Sequence, residues 1–334
     1  MTARDAAVRL LDRCFRRGGI LSYHAVVDSG DVPSPEMHVS AATLRRHLAY
    51  LRDRYDVLPL HELIARRECR RPTDGCVAIT FDDAYVGIEQ FAAPILSALD
   101  LPATIFVAVR ASECGGSFWW DELEEARRAH RPKAWIEMFT ALGLPAPERS
   151  RTSIAIARDR IIARHAGRFE SARQQRAPDA PRDGVPELLR AMDLASLRRV
   201  ASDARFDFGC HTLTHPALPF LPVMEQEGEM RAAQRWLQDR LPRVVPIVAY
   251  PFGLYDADTI GAAQRAGLNA GVTMQPRALD GRDTAYALPR VGVSEDWTPS
   301  SISLRMNTGL SSLFIAKMGG RHPRLPSDPL PATV

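Results

Sequence analysis

Two pairs of residues carry the chemical potential of this chain. Asp82 and Asp83 end the apolar, β-branched run in VAITFDDAYVG, and His211 and His215 bracket the segment HTLTH. Two imidazoles four residues apart meet one ion if the segment makes a helical turn. Taken alone, such a pair is more often coincidental or structural. A carboxylate from a neighbouring strand end would complete a set of two imidazoles and one carboxylate with an open position, a recurrent catalytic zinc or iron arrangement. Adjacent side chains on a strand point to opposite faces, so the two acids have different work. One can bind the ion, and the other can stay unligated as general base toward a water whose pKa a catalytic zinc lowers to about 7. The competing structural reading is a carboxylate pair answering the macrodipole of the helix that follows.

The elements that must position these groups alternate between strand and helix, which predicts an α/β architecture. GILSYHAV, CVAITF, ATIFVAV, FDFGCH, VVPIVAY, NAGVTM and YALPRVGV read as strands. Leu44, Leu48 and Leu51 share one face of a helix that starts near Ser40 or Thr43, and GIEQFAAPILSALD is a helix interrupted at Pro94. In alternating folds functional groups gather at the carboxyl ends of strands. His24, Asp82–Asp83, His211 and the YPFG turn all fall at such ends. From about 115 to 200 the rhythm gives way to basic helical segments broken by prolines, read as an insertion within the α/β domain.

TFDDA, HTLTH and AYPFG, in that order, resemble the three leading motifs of the polysaccharide deacetylases, the carbohydrate esterases that include chitin, peptidoglycan and nodulation-factor deacetylases. The resemblance covers roughly residues 19–110 and 204–295. It implies a distorted (β/α) barrel, here with a helical insertion, that hydrolyses sugar acetamido groups using a divalent metal, zinc first among the candidates. It further implies that Asp82 is the base and that Asp83, His211 and His215 bind the metal. In the third motif the Phe252 N–H would help stabilise the tetrahedral oxyanion, with Tyr250 expected at the substrate.

The chain departs from the family pattern in three places. Ala84 stands where Gly is usual, and Ala249 stands where an Arg normally holds the catalytic aspartate. Arg290, in LPRV of a late strand, is the candidate replacement, since a bidentate contact would orient Asp82 and keep it ionised; an ordinary surface arginine is the alternative. The C-terminal Leu-x-x-His motif that supplies the general acid is absent, and His322 lies in a Pro-rich tail. LSYHAV is similar to the opening strand of a permuted branch of the family, which implies that His24 protonates the leaving amine. Trp119 and Trp120, in the insertion, are candidates to stack on a sugar ring, against core packing for at least one of them.

Composition bounds the rest. The chain of 334 residues has a net charge of +3, five cysteines without CxxC spacing, and no apolar run of membrane-spanning length. Residues 127–205 hold sixteen arginines and one lysine against nine acids, a local excess of +8 that leaves the remainder at −5. Such a block is either an anion-binding surface or a solvated helical face; no nucleic-acid motif accompanies it. The N-terminus has no signal-peptide core, so a cytoplasmic location is expected. The expected organisation is an N-terminal helix over 1–18, a deacetylase-like barrel over 19–320 and a Pro-rich disordered tail over 321–334. The expected activity is removal of an N-acetyl group from a sugar or glycoconjugate, lipid- or nucleotide-linked forms included, with peripheral membrane contact through the basic insertion open. The alternatives are a metal-dependent amidase, deformylase or esterase acting on a non-polysaccharide substrate, and a catalytically weakened carbohydrate-binding protein.

Overall fold

The computed structural model describes residues 17–28, 30, 32–129, 132–141, 145–168 and 184–306. The N-terminal helix and Pro-rich tail expected from the sequence, and His322 with them, fall outside the described residues apart from Arg17 and Gly18. The strands are β1 (Gly19–Tyr23), β2 (Val26–Val27), β3 (Val39–Ser40), β4 (Asp56–Val57), β5 (Cys76–Phe81), β6 (Ala103–Val107), β7 (Phe206–Cys210), β8 (Val244–Ala249), β9 (Ala270–Val272) and β10 (Val291–Gly292). All but two form one parallel sheet in the order β10-β1-β5-β6-β7-β8-β9, with β4 paired to β5; β2 and β3 pair separately.

The sheet curls until its edges meet. Ahead of β10, Leu288 donates its N–H to Gly271 O at 2.9 Å and accepts from Thr273 N–H at 2.8 Å, so it bridges to β9. Three residues on, Val291 pairs with Leu21 of β1. One segment thus seams both edges of a distorted barrel. The strand expected over YALPRVGV shortens to Val291–Gly292 because Pro289 has no N–H to offer a ladder.

Strand alternation sorts the barrel into two packed layers. Ile20, Ala78, Phe106, Ile247, Ala249, Val272 and Leu288 fill the interior, whereas Leu21, Ile79, Ile105, Phe208 and Val248 face the helices outside. A methyl built on Gly209 would sit 2.5 Å from a ring atom of Phe106. Gly209→Ala is therefore expected to destabilise the fold by about 1–3 kcal/mol through overpacking. Urea unfolding tests this, and an unchanged midpoint would mean that the Phe106 ring has room to turn away.

Around the barrel the helices follow local rules. Ser40 caps the helix Ala41–Arg54, its hydroxyl accepting from Thr43 N–H at 3.2 Å, and Leu44, Leu48 and Leu51 bury one stripe. The interruption expected at Pro94 is a π turn over Ile88–Ala92 that leads into the helix Ala93–Leu99, since proline removes one rung of the α ladder.

The insertion lies between β6 and β7. Its helices Trp119–Arg128, Pro132–Ala141 and Arg151–His165 share a small core of Trp119, Leu123, Trp135, Phe139, Ala157 and Ile161. Three of its arginines meet acids elsewhere in the chain. Arg151 pairs with Glu36, Arg168 with Glu225 and Glu229, and Arg199 with Glu89.

Candidate metal centre and active site

The inward series of each strand ends in a polar group at the carboxyl edge. Ala78 and Thr80 lead to Asp82, Ile20 and Ser22 to His24, and Asp207 and Gly209 to His211, while Arg290 follows Leu288. Asp82 is thus delivered to the barrel mouth by alternation alone. Asp83 should point the other way, but its φ of 68°, followed by 53° at Ala84, turns the chain at once. Such left-handed residues cost about 1–2 kcal/mol each when they are not glycine. Thr212 (65°), His215 (56°) and Phe252 (58°) share this conformation. Five left-handed non-glycine residues around one site mark backbone held in place by its surroundings.

Asp83, His211 and His215 are buried, and one ligand atom from each lies within 4.8 Å of the others. Asp83 Oδ1 stands 3.5 Å from Nε2 of both histidines, which are 3.2 Å from one another. His211 Nδ1 donates to the Ala249 carbonyl at 2.7 Å, which leaves its Nε2 as a lone pair facing the cluster. Asp83 Oδ1 has no hydrogen-bond partner among the described residues. Burial, with the Asp82 and Asp121 carboxylates, pushes the Asp83 carboxyl well above its usual range. Burial lowers both histidines, His215 further because His211 adjoins it. Neutral imidazoles and an orphaned oxygen converging on one point form a donor set that fits a divalent cation.

The second acid has a separate environment. Arg290, fully buried, donates Nη1 to Asp82 Oδ1 at 2.6 Å and Nη2 to Oδ2 at 2.7 Å. Nη1 also donates to Thr80 Oγ1 and Nε to the Thr273 carbonyl, both at 3.1 Å. Burial would raise the Asp82 carboxyl, but Arg290 and His211 hold it well below the usual carboxylate range. His24 Nε2 lies 3.9 Å from Asp82 Oδ2. Burial lowers His24 to about 4 against the opposing pull of Asp82, so at neutral pH the imidazole starts neutral.

The aromatic residues are placed differently from a sugar platform. Tyr250 is buried, its hydroxyl donating to the Tyr286 carbonyl at 3.0 Å and its ring stacked on Tyr255. Gly271 leaves room for that hydroxyl, which a methyl there would approach to 2.3 Å. The expectation of Tyr250 at the substrate is corrected: as the residue after the inward Ala249, it points away from the barrel mouth. Trp119 belongs to the insertion core. Trp120 stacks one face on Phe118 at 4.7 Å and packs near His215 and Phe252 at 5.1 and 6.0 Å. The Phe252 ring meets His215 edge-on at 4.8 Å. A cavity of about 540 Å³ adjoins this wall, lined by His215, Trp120, Phe118, Leu213, Arg110 and Arg168 among others, but by neither Asp82 nor His24.

Sequence reasoning missed three buried groups. Tyr85 donates its hydroxyl to Asp121 Oδ2 at 2.8 Å, and His38 Nε2 lies 3.1 Å from Asp121 Oδ1. Tyr85 directly follows the TFDDA motif, a signal that could have been read. Asp121 and His38 carry none, being ordinary residues of a helix start and a loop.

Fold and site together define a class: a curled parallel α/β barrel whose mouth holds a buried Asp-His-His centre beside an arginine-held carboxylate. Comparison with known proteins agrees. The family model for polysaccharide deacetylase matches residues 181–271. YxkH of Bacillus subtilis, which bears the name polysaccharide deacetylase, is 22% identical over 284 residues, 84% of this chain and 73% of that protein. The poly-β-1,6-N-acetyl-D-glucosamine N-deacetylase of Staphylococcus epidermidis is 31% identical over 68 residues, 20% of this chain and 24% of that protein. The Streptococcus pyogenes deacetylase PplD, solved with acetate, superposes with a TM-score of 0.59 at 18% identity, covering 88% of this chain and 99% of that one. IcaB from Ammonifex degensii superposes with a TM-score of 0.56 at 16% identity, covering 86% and 97%. The chain shares the fold of these deacetylases and is similar to the polysaccharide deacetylase family over the residues matched.

Proposed function

We propose that the protein is a metal-dependent hydrolase that removes an N-acetyl group from a sugar or glycoconjugate. The observation that carries this reading is the division of the adjacent acids: Asp83 faces two histidines, and Asp82 is clamped by Arg290 within 4 Å of His24. A divalent cation, zinc by our reading, would be held by Asp83, His211 and His215 and would supply Lewis acidity toward water and the amide carbonyl. Asp82 accepts the proton of the attacking water, and Arg290 keeps its carboxylate ionised and aimed. His24, neutral at rest and 3.9 Å from Asp82 Oδ2, takes up the proton that Asp82 has gained and hands it to the leaving amine nitrogen as the C–N bond breaks. We assign the Phe252 N–H, at the turn beside His215, to the developing oxyanion. The relatives support an acetylated sugar as the substrate class, since those that are named act on N-acetylglucosamine polymers or are called deacetylases.

The test pairs turnover with metal content. Acetate release from N-acetylglucosamine oligomers is expected to exceed release from formamides and aryl esters in a common panel; the reverse order would favour a non-sugar amidase or esterase. Asp83→Ala and His215→Ala are expected to lose the bound metal by elemental analysis and acetate release with it. Full occupancy in either variant would remove that residue from the ligand set.

A further inference from the structure

The two histidines of the centre are held in unlike ways. His211 has its Nδ1 hydrogen on the Ala249 carbonyl, the usual device that fixes the orientation of a metal-ligating imidazole. His215 has no such anchor: its Nδ1 is buried and makes no hydrogen bond to any described residue. Its backbone, at φ 56°, is held by a hydrogen bond from its N–H to Thr212 Oγ1 at 3.0 Å, but that leaves the ring free about its own torsions. What surrounds the ring is aromatic. Phe252 meets it at 4.8 Å and 78°, Trp120 at 5.1 Å and 52°, and Phe118 at 6.3 Å.

Of these rings Trp120 is itself tied down by polar contacts. Its Nε1–H donates to the Tyr85 hydroxyl at 2.8 Å, and that hydroxyl donates onward to Asp121 Oδ2 at 2.8 Å. Phe118 stacks against the indole at 11°. Tyr85 and Asp121 are buried, so neither link is open to competition from solvent. Tyr85 lies two residues beyond Asp83, whereas Trp120 and Asp121 open the first long helix of the insertion. The chain of contacts therefore runs from the strand turn that carries one ligand, through the insertion, to the ring of another.

We propose that Trp120 is a positioning residue for His215, locked in place by Tyr85 and Asp121, so that the insertion helix takes the part that a carbonyl plays for His211. The inference rests on the metal-centre reading above. Losing an orienting partner of a ligating histidine commonly weakens metal binding about 10- to 100-fold, and Trp120→Ala is expected to fall in that range. Tyr85→Phe deletes one hydroxyl and with it both links. It is expected to weaken binding by about 10-fold, with Trp120→Phe similar because the ring stays and the Nε1 bond goes.

The experiment is Co²⁺ titration of the full chain, read by d–d absorption and by competition with a chromogenic chelator. Trp135→Phe is the control: that indole donates to the Pro147 carbonyl at 2.9 Å in the same insertion core and has no ring contact with His215. The expected result is weaker Co²⁺ binding and an altered d–d band in the Tyr85 and Trp120 variants, with wild-type behaviour in Trp135→Phe. Wild-type affinity and spectrum in Tyr85→Phe, or equal losses in Trp135→Phe, would overturn the positioning role while leaving the metal centre standing. Should Trp120→Ala not fold, Tyr85→Phe alone decides. A wild-type chain that binds no Co²⁺ would overturn the centre itself and this inference with it.

Discussion

Asp82→Asn is expected to lower the turnover rate for acetate release by about 10²- to 10⁴-fold, the usual contribution of a positioned general base, while metal content stays at the wild-type level. The two halves of the result test different things. Asp82 is not among the three converging ligand atoms, so its loss should leave Asp83, His211 and His215 able to bind. Asparagine cannot accept a proton at neutral pH, and its amide turns an N–H toward one of the two Arg290 donors. Activity measured at saturating Zn²⁺, together with elemental analysis of the same sample, separates the outcomes. Near wild-type turnover would mean that Asp82 is not the base. Loss of metal would mean that it belongs to the centre, contrary to the geometry.

Arg290→Met is expected to destabilise the fold by about 3–5 kcal/mol, the cost of leaving one partner of a buried ion pair uncompensated. The pair is fully desolvated and bidentate, and the guanidinium also ties Thr80 on β5 to Thr273 beyond β9. Its removal loosens the seam as well as the site. The pH dependence has a definite sign. In the wild type Arg290 holds the Asp82 carboxyl below its usual range, so Asp82 contributes stability above the unfolded carboxyl pKa that is lost as pH falls through the folded value. Without Arg290 burial is opposed only by the neighbouring His211 and His24 and the carboxyl rises, so the acidic limb of the rate profile moves to higher pH. Arg290→Lys is expected to fall between the two, since a point charge cannot make the planar double contact. Urea unfolding and a pH–rate profile measure both effects. A methionine variant with wild-type stability and an unmoved acidic limb would show that Arg290 neither supports the fold nor tunes Asp82.

The parts of this protein legible in its sequence are those governed by short-range rules. Alternation along CVAITF places Asp82 inward, the four-residue spacing in HTLTH brings two imidazoles together, and Ser40 marks a helix start. Each depends on a handful of neighbouring residues and on backbone geometry that recurs in every protein. Left-handed φ at Asp83 and Ala84 was not legible, because neither residue type announces it and only surrounding structure can sustain it. The misplacement of Tyr250 has a similar origin: a motif residue was read for its neighbours, whereas the outward face of β8 and the space above Gly271 decided where its ring went.

Long-range partners were the work of the tertiary structure alone. Arg290 and Asp82 are 208 residues apart and meet only because the sheet closes on itself. Trp120 and Tyr85 are 35 apart and meet because the insertion folds back across the barrel mouth. Buried charges and orphaned ring nitrogens must find partners or packing wherever the closed barrel offers them. By itself the sequence determined the candidate ligands, the candidate base and the strands that carry them. What holds Asp82 ionised, and what packs around His215, was decided when those strands rolled into a barrel and brought distant residues within a few ångströms.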